Sequence, residues 1–220
     1  MYFTTNKNVK IQKTNIFFYL ILTSTLTPFF LPFSRFLSDF FLSISCLLFV
    51  ISLRNHTFKL YFLNKYSIIF FAWYIYLLFT SLFASNVYLS LESTLFYFRF
   101  WIYSLAIAFC FLNIKNFSNY FAFSIISSFI IVLFDSYFQL IFKFNIFGYP
   151  YDNAWKRLSS FFYTDYILGS YVTRMLPIVI GLLFYLKINI FKQYIISFII
   201  ILLSLFIVFF SGERSALLYF

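Results

Sequence analysis

The sequence predicts an all-α fold, a polytopic transmembrane helical bundle of about seven spans plus the start of an eighth. Three observations carry that prediction. Hydrophobic residues fill 63% of the 220 positions and charged residues only 10%, against about 25% charged in a soluble globular chain. Mean hydropathy is +0.92, so the chain cannot cover itself with polar groups and lipid must be its main solvent. The apolar residues fall in runs close to the roughly 20 residues that cross a hydrocarbon core. Finally, the charges between the runs alternate in sign. Asp39, Glu92, Asp135, Asp152, Asp165 and Glu213 occupy alternate gaps. Lys7, Lys10, Lys13, Arg54, Lys59, Lys65, Lys115, Lys187 and Lys192 occupy the others, with no acid among them. Positive loops stay in the cytoplasm, which places the N-terminus there.

Each element follows from its run and its flanks. The first span, from Asn15 to Phe33, reads as an uncleaved anchor, because no small-residue cleavage site follows it. Pro28 and Pro32 set its outer end near the interface. The second, from Phe40 to Leu53, is short and recruits flanking residues around Arg35. A basic loop leads to a third span from Tyr66 to Ala84, and Ser85 to Ser93 form an outer loop with Glu92. The fourth span, from Thr94 to Leu112, returns inward to a tight turn at Lys115.

The fifth span runs from Phe117 to Phe134 and ends at Asp135. Residues 135–165 form the outer loop. Its aromatic first part reads as an interfacial or re-entrant segment, since an open strand edge is unsatisfied in lipid. Gly148, Pro150, Asp152 and Asn153 then supply turn chemistry. The sixth span, from Tyr166 to Leu186, takes Asp165 as its N-cap. The seventh runs from Gln193 to Phe210. An eighth helix opens at Ser215 and stops at Phe220, about one and a half turns on. Residues 1–220 thus read as a single transmembrane domain, incomplete at its C-terminus and the N-terminal portion of a longer protein.

Several function classes drop out at this stage. Net charge is +10, but the bases are scattered singly along loops, without the stripe that tracks a phosphate backbone, so no nucleic acid is expected. Cys46 and Cys110 sit in apolar runs away from any metal-ligand spacing, so neither a disulfide nor a metal is expected. The only histidine, His56, lies in a cytoplasmic basic loop and cannot act as an outward-facing base. The 39 phenylalanines and 19 tyrosines are read as codon bias of an AT-rich genome.

Four arginines stand out. Arg99 and Arg174 lie inside apolar runs, where a mid-helix arginine costs about 2.5–3.5 kcal/mol. Both are near the outer ends of their spans, so each either snorkels to the interface or lines a basic, outward-opening pocket. Glu92, on the same helical face seven residues earlier, is a potential ion-pair partner for Arg99. Arg157, beside Lys156, reads as a solvated loop charge. Glu213 suits a helix N-terminus, whereas Arg214 at that position suggests an anionic partner. All four belong to the outer half, and the guanidinium fork matches phosphate oxygens. A pyrophosphate-bearing lipid is the natural ligand for Arg99, Arg157, Arg174 and Arg214. Asp135 and Gln139 would share a face if their helix continued, as an interfacial pair.

Residues 157–165 (RLSSFFYTD), then 167–177 (ILGSYVTRMLP) and 210–218 (FSGERSALL), resemble the O-antigen ligase and O-antigen polymerase family. These bacterial membrane glycosyltransferases show an Arg-x-Ser-Gly-x-Phe pattern, an asparagine turn and a helix ending near proline. Ser160 stands where the glycine is usual, and Thr164 and Asp165 stand at the asparagine turn. The start of the family's C-terminal region falls at about 208–220.

The resemblance implies residence in the bacterial inner (cytoplasmic) membrane, without cofactor or metal. It implies transfer of a glycan from an undecaprenyl-pyrophosphate-linked donor to a hydroxyl acceptor at the periplasmic face. The acceptor would be lipid A core or a growing glycan. Arg174 and Arg214 would hold the pyrophosphate and stabilise its charge as it leaves. The family's catalytic histidine would lie beyond Phe220, so no catalytic residue is assigned. Two other classes remain open, a lipid-linked oligosaccharide flippase or transporter and a non-catalytic membrane fragment.

Overall fold

The computed structural model describes residues 15–53, 61–62, 64–151, 157–162, 165–186 and 189–220. His56, Arg54, Lys59, the N-terminal lysines, Asp152, Asn153, Lys156, Thr164 and Lys187 lie outside the described residues. Among the described residues the α-helices are, in order, α1 Asn15–Phe30, α2 Arg35–Ser52, α3 Lys65–Ser81, α4 Val87–Leu95, α5 Phe98–Asn113, α6 Phe117–Phe142, α7 Leu168–Tyr185, α8 Ile190–Ser211 and α9 Arg214–Tyr219. An isolated β-bridge joins Phe144 and Pro150 in antiparallel sense.

Five helical stretches are long and apolar enough to cross a membrane: α2, α4 with α5 as one run Val87–Asn113, α6, α7 and α8. The α1 and α3 helices, at 16 and 17 residues, are shorter. Two expected boundaries are corrected. The outer loop from Ser85 to Ser93 is mostly helical, because the Asn86 side chain accepts the Leu89 N–H at 3.3 Å and starts α4. The fifth span does not end at Asp135. Its helix α6 continues to Phe142, and the chain turns only at Lys143, whose φ is +66°. The interfacial or re-entrant segment expected after Asp135 is therefore, in its first part, the last turns of a helix.

The chain forms two compact units. The first holds the described residues up to Thr27 and Asp39–Phe117. Its interior is aromatic: Phe49, fully buried, meets Tyr61 and Phe109 edge-on at 5.9 and 5.6 Å and stacks on Phe62 at 6.3 Å. Cys46 and Cys110 are buried and unpaired here.

Several hydroxyls in its apolar helices are satisfied locally. Thr23 and Thr27 donate to carbonyls one turn back at 2.9 Å, as helices in lipid require. Pro28 lacks an N–H and leaves the Ser24 carbonyl without its helical donor. Tyr103 Oη supplies the missing bond at 2.9 Å. Tyr103→Phe is expected to lose about 1–2 kcal/mol, and less when Pro28→Ala restores the helical donor. Detergent-phase melting of the two single variants and the double variant measures this coupling.

The second unit holds Pro28–Ser38 and Ser118–Phe220. Its core joins Phe129 and Val132 of α6, Val172 and Val179 of α7, Ile207 and Val208 of α8, and Ala216 of α9. The face of α8 toward this interior repeats small and polar residues: Gln193, Ser197, Ser204 and Ser211 are buried among Ile200 and Ile207. Small side chains let helices approach closely where lipid offers no hydrophobic drive. Gln193 donates to the Leu183 carbonyl at 3.1 Å, covering an end of α7. The large exposed side chains of α8, Phe198, Leu202, Leu205 and Phe209 among them, suit a lipid-facing surface.

Candidate functional site

The site is built in the second unit by three segments. The first is the loop after α6, which is held by a buried polar network. Asp135, fully buried, accepts the Ile146 N–H at 2.9 Å and the Ser160 hydroxyl. Gln139 Oε1 accepts the Ser160 and Ser159 amides at 2.7 and 3.2 Å. Asn145, also fully buried, donates to the Ser160 carbonyl at 3.0 Å and accepts the Tyr149 N–H at 2.7 Å. Asp135 and Gln139 are thus no interfacial pair: one turn apart on α6, they clamp the loop. Sequence reasoning missed the clamp, and its one visible signal was the four-residue spacing.

Ser160, at the centre, has φ +50°, a region glycine enters freely and other residues only at about 1–2 kcal/mol. Its hydroxyl bond to a carboxylate is worth about 1.5–3 kcal/mol. Ser160→Gly removes both terms, so its melting temperature is expected to stay within about 4 °C of wild type.

The second segment is the start of α7. The expected N-cap at Asp165 is not found: Ile167 occupies that position without a side-chain cap, and Asp165 instead forms an ion pair with Arg35. The first amides of α7 are satisfied by Glu213, from the junction of α8 and α9. Its carboxylate accepts the Gly169 N–H at 2.8 Å, the Ser170 N–H at 3.0 Å and the Ser170 hydroxyl. Glu213 was expected to serve the helix it precedes, yet its side chain makes no cap on α9.

The third segment is that junction. Gly212 ends α8 with φ +69°, the left-handed region that favours glycine. Arg157 lies against Gly212, its Cγ 3.2 Å from where a Cβ would stand, and its guanidinium is 5.5 Å above the Tyr166 ring. Arg157 is therefore half-buried, not the solvated loop charge expected.

The start of α7 and helix α9 line a half-open hollow of about 450 Å³, through Ser170, Thr173, Arg174, Ser215 and Tyr219; the loop after α6 contributes no lining residue. Arg174 reaches it from the second turn of α7, and Arg214 immediately precedes the lining residue Ser215. Both arginines are exposed, and neither has a carboxylate partner among the described residues. The Arg174 guanidinium and the Ser215 hydroxyl beside one hollow offer donors and a positive charge, which is what an oxyanion needs.

Arg99 has a different setting. It lies in the first unit, where its Nη2 donates to Asp39 at 2.9 Å and its guanidinium sits 5.0 Å above the Phe100 ring. The partner is thus Asp39, not Glu92. Among the described residues no group of three His, Cys, Asp or Glu side chains comes together to hold a metal ion.

Helices of this length and polarity make the chain a multi-pass helical membrane protein. No protein-family model matches it, and neither a curated protein nor a solved structure does.

Proposed function

We propose that this protein binds an undecaprenyl-pyrophosphate-linked glycan and acts in its transfer to a hydroxyl acceptor, as an O-antigen ligase or polymerase does. The setting proposed is the periplasmic face of a bacterial inner membrane, with the N-terminus in the cytoplasm. The observation that carries this reading is the pocket in which Arg174, without a counter-ion among the described residues, meets Ser170, Thr173, Ser215 and Tyr219. A diphosphate matches that lining: the arginine fork takes two oxygens and the Ser215 hydroxyl donates to another. The Ser170 and Thr173 hydroxyls already donate to Glu213 and to the Gly169 carbonyl. When the bond from the sugar's anomeric carbon to the diphosphate oxygen breaks, charge builds on the leaving group. A pre-placed guanidinium stabilises it there. The motif pattern adds support, because its glycine falls on Ser160, where the backbone has positive φ.

The test uses the complete protein in lipid nanodiscs with undecaprenyl pyrophosphate and undecaprenyl monophosphate as probes. The pyrophosphate is expected to bind more tightly, and Arg174→Ala to weaken it about tenfold or more. Arg214→Ala is expected to act in the same direction, and either variant in cells to remove the surface glycan while leaving membrane insertion intact. Equal affinity for the two lipids, or an unchanged glycan ladder, would sink the reading.

A further inference from the structure

Glu213 is an unexpected residue beside a pocket read as anion-binding, since a carboxylate there opposes the ligand's charge. Its contacts explain its presence. The carboxylate takes the free amides of Gly169 and Ser170 and the Ser170 hydroxyl, so its charge is matched by three donors and by the positive end of an 18-residue helix. Both sides of that contact lead directly to the pocket. Ser170 lines it, and Thr173 and Arg174 follow on α7; Ser215, on α9, lies two residues beyond Glu213. The same junction has no space to spare. A Cβ on Gly169 would stand 2.5 Å from Ser211 Oγ, 3.1 Å from Ala216 Cβ and 3.2 Å from Glu213 Cβ.

We propose that Glu213 is the positioning residue of this pocket: by bridging the first amides of α7 to the start of α9, it holds Arg174 and Ser215 around one ligand. The role rests on the lipid-pyrophosphate reading, because it is placement of these donors that Glu213 supplies. A carboxylate does this better than a neutral amide, because hydrogen bonds to an ionised acceptor are about twice as strong. The carboxylate also occupies the α7 amides, so a phosphate cannot settle on them in place of the arginine.

The test measures binding of undecaprenyl pyrophosphate to the complete protein in nanodiscs, with folding checked by fluorescence-detected gel filtration. Glu213→Ala is expected to weaken binding about tenfold. Glu213→Gln keeps one acceptor oxygen for α7 while its NH2 faces the other amide, so it is expected to fall between the alanine variant and wild type. Folded Glu213→Ala protein that binds like wild type overturns the proposal, as does a glutamine variant as weak as the alanine one. Should the alanine variant not fold, Glu213→Asp decides: one methylene shorter, it cannot span both amides, and wild-type affinity there is the overturning result. Wild type that binds the pyrophosphate no better than the monophosphate overturns the functional reading itself, a pattern separate from a selective wild type with an indifferent Glu213→Ala.

Discussion

Replacing Asp135 by alanine is expected to cost the protein about 3 kcal/mol, because a buried hydroxyl and a loop amide then lose a charged acceptor. Those donors are the Ile146 N–H and the Ser160 hydroxyl, and Asp135 and Ser160 are both fully buried. The Ser160 hydroxyl has no water to fall back on, so its desolvation cost stays uncompensated, whereas Ile146 is exposed. Gln139 and Asn145 hold the same loop by separate bonds, which argues for a weakened clamp, not for unfolding of the whole unit. Asp135→Asn keeps one acceptor oxygen and is expected to lose about half as much. Thermal melting in mild detergent, read from intrinsic fluorescence, makes the comparison. An alanine variant melting within about 2 °C of wild type would show that the network carries no stability.

Gly169→Val tests the junction from the other side. Its Cβ would fall 2.5 Å from Ser211 Oγ, and backbone-near atoms of Ala216 and Glu213 leave nowhere to retreat. Overpacking at a close-packed position costs about 1–3 kcal/mol, and the separation of α7 from α9 it forces would also break the Glu213 bonds. The variant is therefore expected to lose both stability and affinity for undecaprenyl pyrophosphate. Gly181→Val is the control on the same helix, since nothing lies within 4 Å of a Cβ there. Its expected change is within about 0.5 kcal/mol. Equal behaviour of the two valine variants would mean that the junction is not tightly packed.

Membrane helices announce themselves because the bilayer tests each segment alone: about 20 apolar residues cross whatever their neighbours do. Hence the spans around α2, α5, α7 and α8 were legible to within a few residues, and Arg174 could be picked out as a charge needing a reason. Polarity at a single position misled the reading where tertiary structure supplied a partner. Asp135 looked like a span's end, yet α6 runs on past it because the loop's own amide and hydroxyl meet the carboxylate. Arg99 suggested Glu92 as its ion-pair partner, and Asp39, sixty residues away in sequence, takes that place.

Taken alone, the order of residues determined that this chain is helical, apolar and built to cross a membrane several times, since composition and run length depend on no contact. Which charges remain free was decided only by folding. Glu213 spends its carboxylate on a helix 43 residues earlier, Asp165 pairs with Arg35, and Arg174 is left facing a hollow. Hydrogen bonds and ion pairs are made at a few ångströms, and no spacing along a chain specifies distances of that order between segments far apart in it.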